Sequence, residues 1–298
     1  MSKRGWVLFA LMSVIWGVPY LMIKVAVAEV SVPVLVFART AIGAAVLLPL
    51  ALRGGRMRGV RRHWPALAAF ATLEIIVSWW LLSDAERHVS SSMAGLLIAA
   101  SPVVAVILER ISGGTERLSV KRWIGLAVGL GGVALLAGPE LRGGNPWAIV
   151  EVLLTAVCYA TAPLIAARHL KDVDSLPMTA VCLGGAALVY AGPAVATWPD
   201  SMPSAPVLAA LAGLALVCTA LAFIVFFALI REVGASRALV FTYVNPAVAV
   251  AAGVIFLSEP LTPGIVASFV LILGGSILAT APQKAGAAAP EPAARPVP

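Results

Sequence analysis

Residues 235–281 read ASRALVFTYVNPAVAVAAGVIFLSEPLTPGIVASFVLILGGSILATA, and a similar stretch stands at residues 91–138. Three short motifs recur in both stretches in the same order. The matched pairs are Ser101-Pro102 with Asn245-Pro246, Thr115-Glu116-Arg117-Leu118-Ser119 with Ser258-Glu259-Pro260-Leu261-Thr262, and Leu130-Gly131-Gly132 with Leu273-Gly274-Gly275. Each pair is offset by 143 or 144 residues, close to half of the 298-residue chain, so the sequence indicates a tandem duplication.

Composition places the chain in a membrane. Hydrophobic residues make up 61% of the sequence and charged residues only 12%, whereas soluble domains have about 25% charged residues. Ten apolar stretches have the length, roughly 17–25 residues, that an α-helix needs to cross about 30 Å of hydrocarbon. These predicted spans, numbered 1 to 10, cover residues 6–28, 33–52, 65–83, 90–110, 123–139, 147–167, 176–197, 206–230, 237–257 and 263–281.

The basic residues predict the orientation of the chain. The net charge is +7, but the Lys and Arg residues are dispersed in short connections, an arrangement that reflects topology rather than nucleic-acid binding. Seventeen of the 21 Lys and Arg residues fall on one side of the membrane, and only Arg87 and Arg142 fall on the other. The positive-inside rule therefore predicts both termini in the cytoplasm. The remaining two, Lys24 and Arg39, lie inside spans.

Duplication and topology together predict the architecture. Each half contains five spans, an odd number, so the second half enters the membrane in the opposite orientation to the first. We predict an all-α integral membrane protein with ten transmembrane helices in two inverted five-helix repeats, residues 1–140 and 141–282. Residues 283–298 are rich in Pro and Ala and predict a disordered cytoplasmic tail. Inverted repeats are typical of secondary transporters that work by alternating access.

Several motifs carry a resemblance to a known family. They are Ile15-Trp16-Gly17 with Lys24, the Ser-Pro and Asn-Pro pairs of spans 4 and 9, the Glu116-Arg117-Leu118 and Glu259-Pro260-Leu261 segments, and the Leu-Gly-Gly of spans 5 and 10. The order of these motifs along the chain, and their occurrence in both halves, resemble the EamA family of the drug/metabolite transporter superfamily. Within that superfamily the chain is most similar to the bacterial aromatic amino-acid exporters. The resemblance implies a multi-pass transporter of the bacterial inner membrane. Two departures are Tyr159, where the family often has Trp, and Pro163, which interrupts span 6.

Three polar or aromatic side chains lie on one side of span 1. Trp16, Tyr20 and Lys24 recur every four residues and spread over only about 80° of the helix surface, so they can line one cavity wall. They would then form an aromatic shelf with a cation beside a substrate carboxylate. The alternative is that Trp16 and Tyr20 pack between helices while Lys24 snorkels to the interface. Arg39 in span 2 could serve the same anion, although snorkelling is favoured for it.

Glu74 is the most centrally placed carboxylate, and Ser78 lies one turn further on the same face of span 3. A buried charge of this kind must be protonated, paired or in contact with water. Glu74 is therefore predicted either to bind a substrate ammonium or a proton, or to pair with a basic residue of spans 1 or 2. Trp79 and Trp80 lie more than 100° from this face and are expected in the aromatic belt at the membrane surface.

The paired interruptions of spans 4 and 9 indicate a binding site or a hinge, because a proline frees the carbonyl one turn earlier. The alternative is a fixed kink whose carbonyls are satisfied locally. The candidate substrate contacts from these and neighbouring spans are Ser78, Ser101, Tyr159, Tyr243 and Asn245, and the candidate hinges are Pro102 and Pro246.

The same residues argue against catalysis. All three histidines and all four aspartates fall in predicted connections, so no Ser–His or Asp–Asp pair is expected inside the bilayer. The cysteines lack metal-site spacing, and no cofactor or metal is expected. A channel or a structural membrane protein is the alternative class. We predict a secondary transporter that exports amino acids across the cytoplasmic membrane by alternating access, with broad selectivity that favours aromatic and large neutral side chains, and that acts as a monomer or homodimer in the lipid bilayer. The alternative substrates are other small metabolites, including nucleotide sugars, and lipophilic cationic drugs.

Overall fold

The computed structural model describes residues 1–53, 57–111, 119–234 and 238–280, and every regular element in these ranges is a helix. Spans 1 to 5 comprise Lys3–Ile15 with Pro19–Ala26, Val32–Arg53, Trp64–Ala85, Ser91–Ile98 with Ser101–Ile111, and Val120–Gly143. Spans 6 to 10 comprise Pro146–His169, Ser175–Ala196, Ala205–Val233, Leu239–Tyr243 with Asn245–Leu257, and Pro263–Ala279. A short helix, Arg58–Arg62, precedes span 3.

Eight of the described spans are long and apolar enough to cross a membrane, and spans 9 and 10 contribute shorter apolar helices. The predicted all-α membrane architecture is therefore confirmed. The predicted tail, residues 283–298, and the Glu116-Arg117-Leu118 motif lie outside the described residues, as do residues 235–237.

Corresponding spans of the two halves contact each other, as expected for two related repeats. Spans 2, 4 and 5 contact spans 7, 9 and 10 respectively, and each of these pairs joins a span to its counterpart in the other repeat. Span 1 contacts span 8, and the counterpart pair, span 6 with span 3, is also in contact. This exchange of equivalent contacts is what an approximate twofold relation between five-helix repeats produces.

Glycines allow spans 5 and 10 to meet backbone to backbone. A Cβ added to Gly275 would lie 2.3 Å from the amide nitrogen of Gly129, and one added to Gly125 would lie 2.3 Å from that of Ala279. Real side chains do not fit at such distances. Small residues at this interface therefore bring the helices close enough for extensive dispersion contact, which drives helix association in lipid.

Both repeats carry a π-helical turn in their third span. In span 3 the turn covers Thr72–Val77, and in span 8 it covers Gly213–Leu221. Adding the repeat offset of 144 to residues 72–77 gives 216–221, which lie inside the second turn. A π turn contains one residue more than an α turn, so it rotates everything that follows by about 100° relative to a regular α-helix.

Three spans are interrupted where a proline begins a helical segment. Span 1 breaks at residues 16–18 before Pro19, span 4 at residues 99–100 before Pro102, and span 9 at Val244 before Pro246. Proline is tolerated at the start of a helix, where its missing amide proton has no partner to lose. The chain thus has helix breaks at equivalent points of spans 4 and 9.

Polar contacts join the repeats at the two ends of the bundle. At one end the Glu259 carboxylate accepts hydrogen bonds from the backbone amides and the hydroxyls of Ser91 and Ser92. We call this arrangement the Glu259–serine contact. At the other end Glu232 accepts from the Ser2 hydroxyl, and its carboxylate lies 3.9 Å from Nε of Arg4. Which end faces the cytoplasm stays a prediction from the basic residues.

Candidate functional site

A cluster of polar and aromatic side chains lies inside the bundle between spans 1, 2, 3, 6 and 8. We call it the central cluster; its members are Tyr20, Arg39, Trp79, Tyr159 and Thr219. Tyr20, Arg39 and Tyr159 lie close enough to interact electrostatically with one another. Four of the five are buried, while Tyr159 keeps intermediate exposure. The cluster therefore gathers side chains that are far apart in sequence.

Arg39 is the central charge of this cluster. Its side chain is 7% exposed, its Cζ lies 3.6 Å from the ring centroid of Trp79, and its Nε donates to Oγ1 of Thr219 at 2.9 Å. A desolvated cation stacked on indole gains about 2 kcal/mol. Among the described residues no carboxylate forms an ion pair with Arg39. The guanidinium is therefore held in place by an aromatic face and a hydroxyl, and it makes no ion pair with an acidic side chain in the described part of the chain.

The π turn of span 8 shapes the acceptor for Arg39. The Thr219 hydroxyl, which accepts from Arg39, donates to the carbonyl of Leu214, five residues earlier, at 2.8 Å. A π turn leaves some backbone carbonyls without their usual partner, and a side-chain hydroxyl can satisfy them. The turn thereby fixes the hydroxyl in the orientation that presents its lone pairs to the guanidinium.

Glu74 lies in the equivalent π turn of span 3. Its Oε2 is buried and has no hydrogen-bond partner among the residues the structure describes. Glu74 interacts electrostatically with Tyr159, which also interacts with Arg39. The carboxyl group and the guanidinium therefore both lie within electrostatic range of Tyr159. Each also interacts with a buried cysteine of the other repeat, Glu74 with Cys182 and Arg39 with Cys218.

Lys24 lies at the Glu259 end of the bundle and binds backbone rather than lipid head groups. Its Nζ donates to the carbonyl oxygens of Glu86 at 2.6 Å and Val89 at 2.8 Å. These carbonyls follow the last helical residue of span 3, where orphan acceptors favour a cation. The lysine therefore caps this helix end, a role that neither sequence alternative described.

Trp16 belongs to an aromatic group where span 1 is interrupted. Its ring centroid lies 5.8 Å from that of Phe223, 5.0 Å from that of Phe226 and 5.4 Å from that of Phe241. These are ordinary distances for interacting aromatic pairs. Trp16 therefore packs spans 1, 8 and 9 together, while Tyr20 lies in the central cluster.

Three predicted polar contacts use their hydrogen bonds within the protein. The hydroxyl of Ser78 donates to the carbonyl of Glu74 at 2.6 Å, and that of Ser101 donates to the carbonyl of Ile98. With its side-chain amide oriented to match its neighbours, Asn245 donates to the carbonyls of Phe241 at 3.1 Å and Ser13 at 3.2 Å. The side chains of Ser101 and Asn245 thus bind backbone carbonyls beside the interruptions of spans 4 and 9, and Pro102 and Pro246 begin the segments that follow.

Tyr243 lies apart from the central cluster. Its hydroxyl is 2.8 Å from Oγ1 of Thr280, so it joins span 9 to the last turn of span 10. The structure therefore brings together Tyr20, Glu74 and Tyr159 from the predicted set. It places Trp16 and Tyr243 in other contacts.

Two expectations from the sequence are wrong. Arg39 does not snorkel, since it is buried against Trp79 and Thr219. Trp79 does not belong to an interfacial belt, since it is 7% exposed and lies under that guanidinium. The π turn explains the second error: it removes about 100° from the angle between Glu74 and Trp79 and brings them to about 40° apart. Trp80, 37% exposed, stacks on Tyr190.

Sequence reasoning missed Glu86 and the role of Thr219. The predicted bounds of spans 3 and 4 leave Glu86 in a connection, but in the structure it follows span 3 directly and is fully buried. One signal was available, because residues 75–88 contain neither Pro nor Gly and so permit the helix to continue to Glu86. Thr219 lies on an i, i+4, i+7 stripe with Phe223 and Phe226 that favours helix packing, so the sequence does not predict its contact with Arg39, which depends on the path of span 2.

The central cluster together with Glu74 offers one cation, one carboxyl group and several aromatic surfaces within an apolar bundle. Such a site suits a small molecule that carries a negative and a positive group beside an apolar body. Within the described ranges there is no group of three or more His, Cys, Asp or Glu side chains that could hold a metal ion.

Comparison with known proteins agrees with the fold. The chain matches the EamA-like transporter family twice, over residues 3–138 and 146–281. It is 28% identical over 299 residues to "Uncharacterized transporter YvbV" of Bacillus subtilis (strain 168), covering 97% of this chain and 95% of that protein. It is 31% identical over 252 residues to "Uncharacterized inner membrane transporter YedA" of Escherichia coli (strain K12), covering 83% and 80%.

A solved crystal structure has the same fold. It superposes with a TM-score of 0.67 at 19% identity, covering 94% of this chain and 98% of the other. The family matches account for nearly the whole chain, and the duplicated match follows the duplication seen in the sequence. The protein is therefore a multi-pass membrane transporter that belongs to the EamA-like transporter family.

Proposed function

We propose that this transporter exports amino acids across the cytoplasmic membrane, with broad selectivity that favours aromatic and large neutral side chains. One observation carries the proposal: Arg39, without an ion-pair partner in the described part of the chain, and Glu74, with an unpartnered buried oxygen there, both lie within electrostatic range of Tyr159. An α-amino acid carries a carboxylate and an ammonium on one carbon. It would supply both missing partners at once.

The surroundings of these two groups support the breadth of selectivity. Tyr20, Tyr159 and Trp79 offer flat apolar surfaces, and the aromatic group around Trp16 lies further along span 1. An apolar pocket with few polar anchors discriminates weakly between side chains, because each methylene contributes only about 1 kcal/mol. In this proposal Tyr20 and Trp16 contact the substrate side chain. Lys24, Ser78, Ser101, Tyr243 and Asn245 then act by holding the helices around it.

Transport in this proposal proceeds by alternating access. The two repeats, residues 1–140 and 141–282, would exchange conformations around the central cluster, with the breaks before Pro102 and Pro246 as hinges. The Glu259–serine contact and the Glu232 contacts would close opposite ends in turn. The predicted orientation puts both termini and Glu232 in the cytoplasm.

Lipophilic cations are the second candidate substrate class. The unpartnered oxygen of Glu74 beside aromatic rings favours a cation. The buried guanidinium of Arg39 disfavours one, because two like charges in a medium of low polarity repel strongly. A zwitterion satisfies both groups, which is why we favour amino acids.

Counterflow in liposomes tests the proposal. Purified protein is loaded with unlabelled phenylalanine inside, and uptake of radiolabelled phenylalanine is competed with other amino acids, a nucleotide sugar and a quaternary ammonium compound. We expect saturable exchange that several neutral amino acids inhibit. Exchange of the quaternary ammonium compound with none of phenylalanine would overturn the amino-acid assignment in favour of drug efflux.

Matched substitutions test the site. Arg39→Gln and Glu74→Gln should each reduce phenylalanine exchange at least about tenfold, since each removes a charge-assisted hydrogen bond worth about 1.5–3 kcal/mol. Arg87→Gln and Glu29→Gln are the controls, because Arg87 is half exposed and Glu29 is exposed. Size-exclusion chromatography checks folding of each variant. Equal exchange by all four variants would contradict the site.

A further inference from the structure

Glu86 is a buried carboxyl group to which the proposed substrate site gives no role. Its side chain is completely inaccessible, and neither Oε1 nor Oε2 has a hydrogen-bond partner among residues 1–53, 57–111, 119–234 and 238–280. Burying a polar group without a hydrogen bond costs several kcal/mol, and an ionised one costs more. A carboxyl group buried in this way is more stable in its protonated, neutral form than in its ionised form.

The titratable groups that interact electrostatically with Glu86 come from three other parts of the chain. Lys24 and Tyr20 belong to span 1, Arg39 to span 2, and Glu259 to the segment between spans 9 and 10. The Lys24 ammonium is near, but its two hydrogen bonds go to the backbone carbonyls of Glu86 and Val89. The lysine therefore stabilises the helix end and does not satisfy the carboxylate oxygens.

The remaining charged neighbours are also engaged. The Glu259 carboxylate accepts from Ser91 and Ser92, and Arg87, next in sequence, lies 3.6 Å from the carboxylate of Asp84. Burial raises the pKa of Glu86 well above its ordinary value; Lys24 opposes this, Glu259 adds to it, and Arg39 opposes it. In this conformation the neutral acid is the favoured form.

We propose that Glu86 is a proton-binding site that couples transport to a pH gradient. The carboxyl group holds a proton while this end of the bundle covers it. When the Glu259–serine contact separates and water reaches the carboxyl group, the proton leaves to solvent and the carboxylate remains beside Lys24. Glu86 differs in role from Glu74, which faces the substrate site. The transport test below rests on the proposed function, whereas the spectroscopic test does not.

Infrared spectroscopy tests the proton site without any substrate. The C=O stretching band of a protonated carboxyl group is recorded at neutral pH for the wild type, Glu86→Gln and Glu74→Gln. We expect a band that is lost in Glu86→Gln and retained in Glu74→Gln, a matched control that removes another carboxyl group with a buried oxygen that has no partner among the described residues. Identical carboxyl bands in the wild type and Glu86→Gln would overturn the proposal.

Accumulation in liposomes tests the coupling. With the membrane potential clamped by potassium and valinomycin, a gradient of one pH unit should drive up to about tenfold accumulation of phenylalanine, the equivalent of about 1.4 kcal/mol. Glu86→Gln should lose this accumulation while counterflow persists, and Glu29→Gln should keep both. Accumulation by Glu86→Gln, or none by the wild type despite counterflow, would refute the coupling. Absence of counterflow in every protein would instead refute the amino-acid assignment and leave the infrared result to decide the proton site.

Discussion

Replacing Gly275 with alanine should destabilise the pairing of spans 5 and 10. The added Cβ would lie 2.3 Å from the nitrogen and 2.5 Å from the Cα of Gly129, where ordinary contact begins at 3.4 Å. The helices would have to separate by roughly 1 Å, and the atoms involved are backbone atoms that cannot rotate away. Overpacking of this kind costs about 1–3 kcal/mol, and we expect the upper part of that range.

Gly274 provides a matched control one residue away. A Cβ at Gly274 meets nothing within 4 Å, so Gly274→Ala adds a methyl group without a clash. Alanine is also favoured over glycine in a helix by up to about 1 kcal/mol. Gly274→Ala should therefore match or slightly exceed the stability of the wild type, and the two neighbouring substitutions should differ by about 3 kcal/mol.

Thermal unfolding of the detergent-purified protein measures this difference. A loss of 2–3 kcal/mol corresponds to a fall in Tm of about 5–10 °C for a protein of this size class. Fluorescence-detected size-exclusion chromatography after heating gives the midpoint for both variants. Equal midpoints for Gly275→Ala and Gly274→Ala would show that spans 5 and 10 do not approach as closely as described.

Three further substitutions follow from named contacts. Thr219→Val keeps the side-chain shape but removes the acceptor of Arg39, so we expect a loss of about 1.5–3 kcal/mol in a thermal-shift assay, and an unchanged midpoint would contradict the contact. Glu259→Gln weakens the acceptor for the serines that begin span 4, and hydrogen exchange at those two amides should rise severalfold; unaltered exchange would rule out the contact. Hydrogen bonds from Ser204 lower the pKa of Glu29 below its ordinary value, so its contribution to stability is present above that value and lost as the pH falls through the lowered pKa. The difference in unfolding midpoint between wild type and Glu29→Gln should therefore be present at neutral pH and vanish in acid; a difference that grows in acid would refute the sign.

The fold and the family were predictable from the sequence, because both depend on the lengths of apolar stretches and on repeated motifs, which can be read directly from the chain. Lipid requires long apolar helices, since an unpaired backbone amide in hydrocarbon is costly. The duplicated motifs then implied two five-helix repeats. Glu74, Tyr20 and Tyr159 were also identifiable, because a polar group inside an apolar span is conspicuous.

Tertiary structure alone decided the composition of the central cluster. The π turn at Thr72–Val77 rotates Trp79 toward Arg39, and no apolar pattern marks a single inserted residue. Thr219 contacts Arg39 only because span 2 packs against the π turn of span 8. Glu86 became conspicuous once Lys24 was seen to bind the adjacent carbonyls and leave the carboxyl group without a partner.

What the sequence determined by itself was the number of spans, their duplication and the class of protein, because hydrophobic length and repetition are properties of the chain. What only the tertiary structure decided was which charges meet inside the bundle. The physical reason is that a side chain's environment depends on helix phase and on the partner helix. A single π turn or a close glycine contact changes both without changing the hydrophobic pattern.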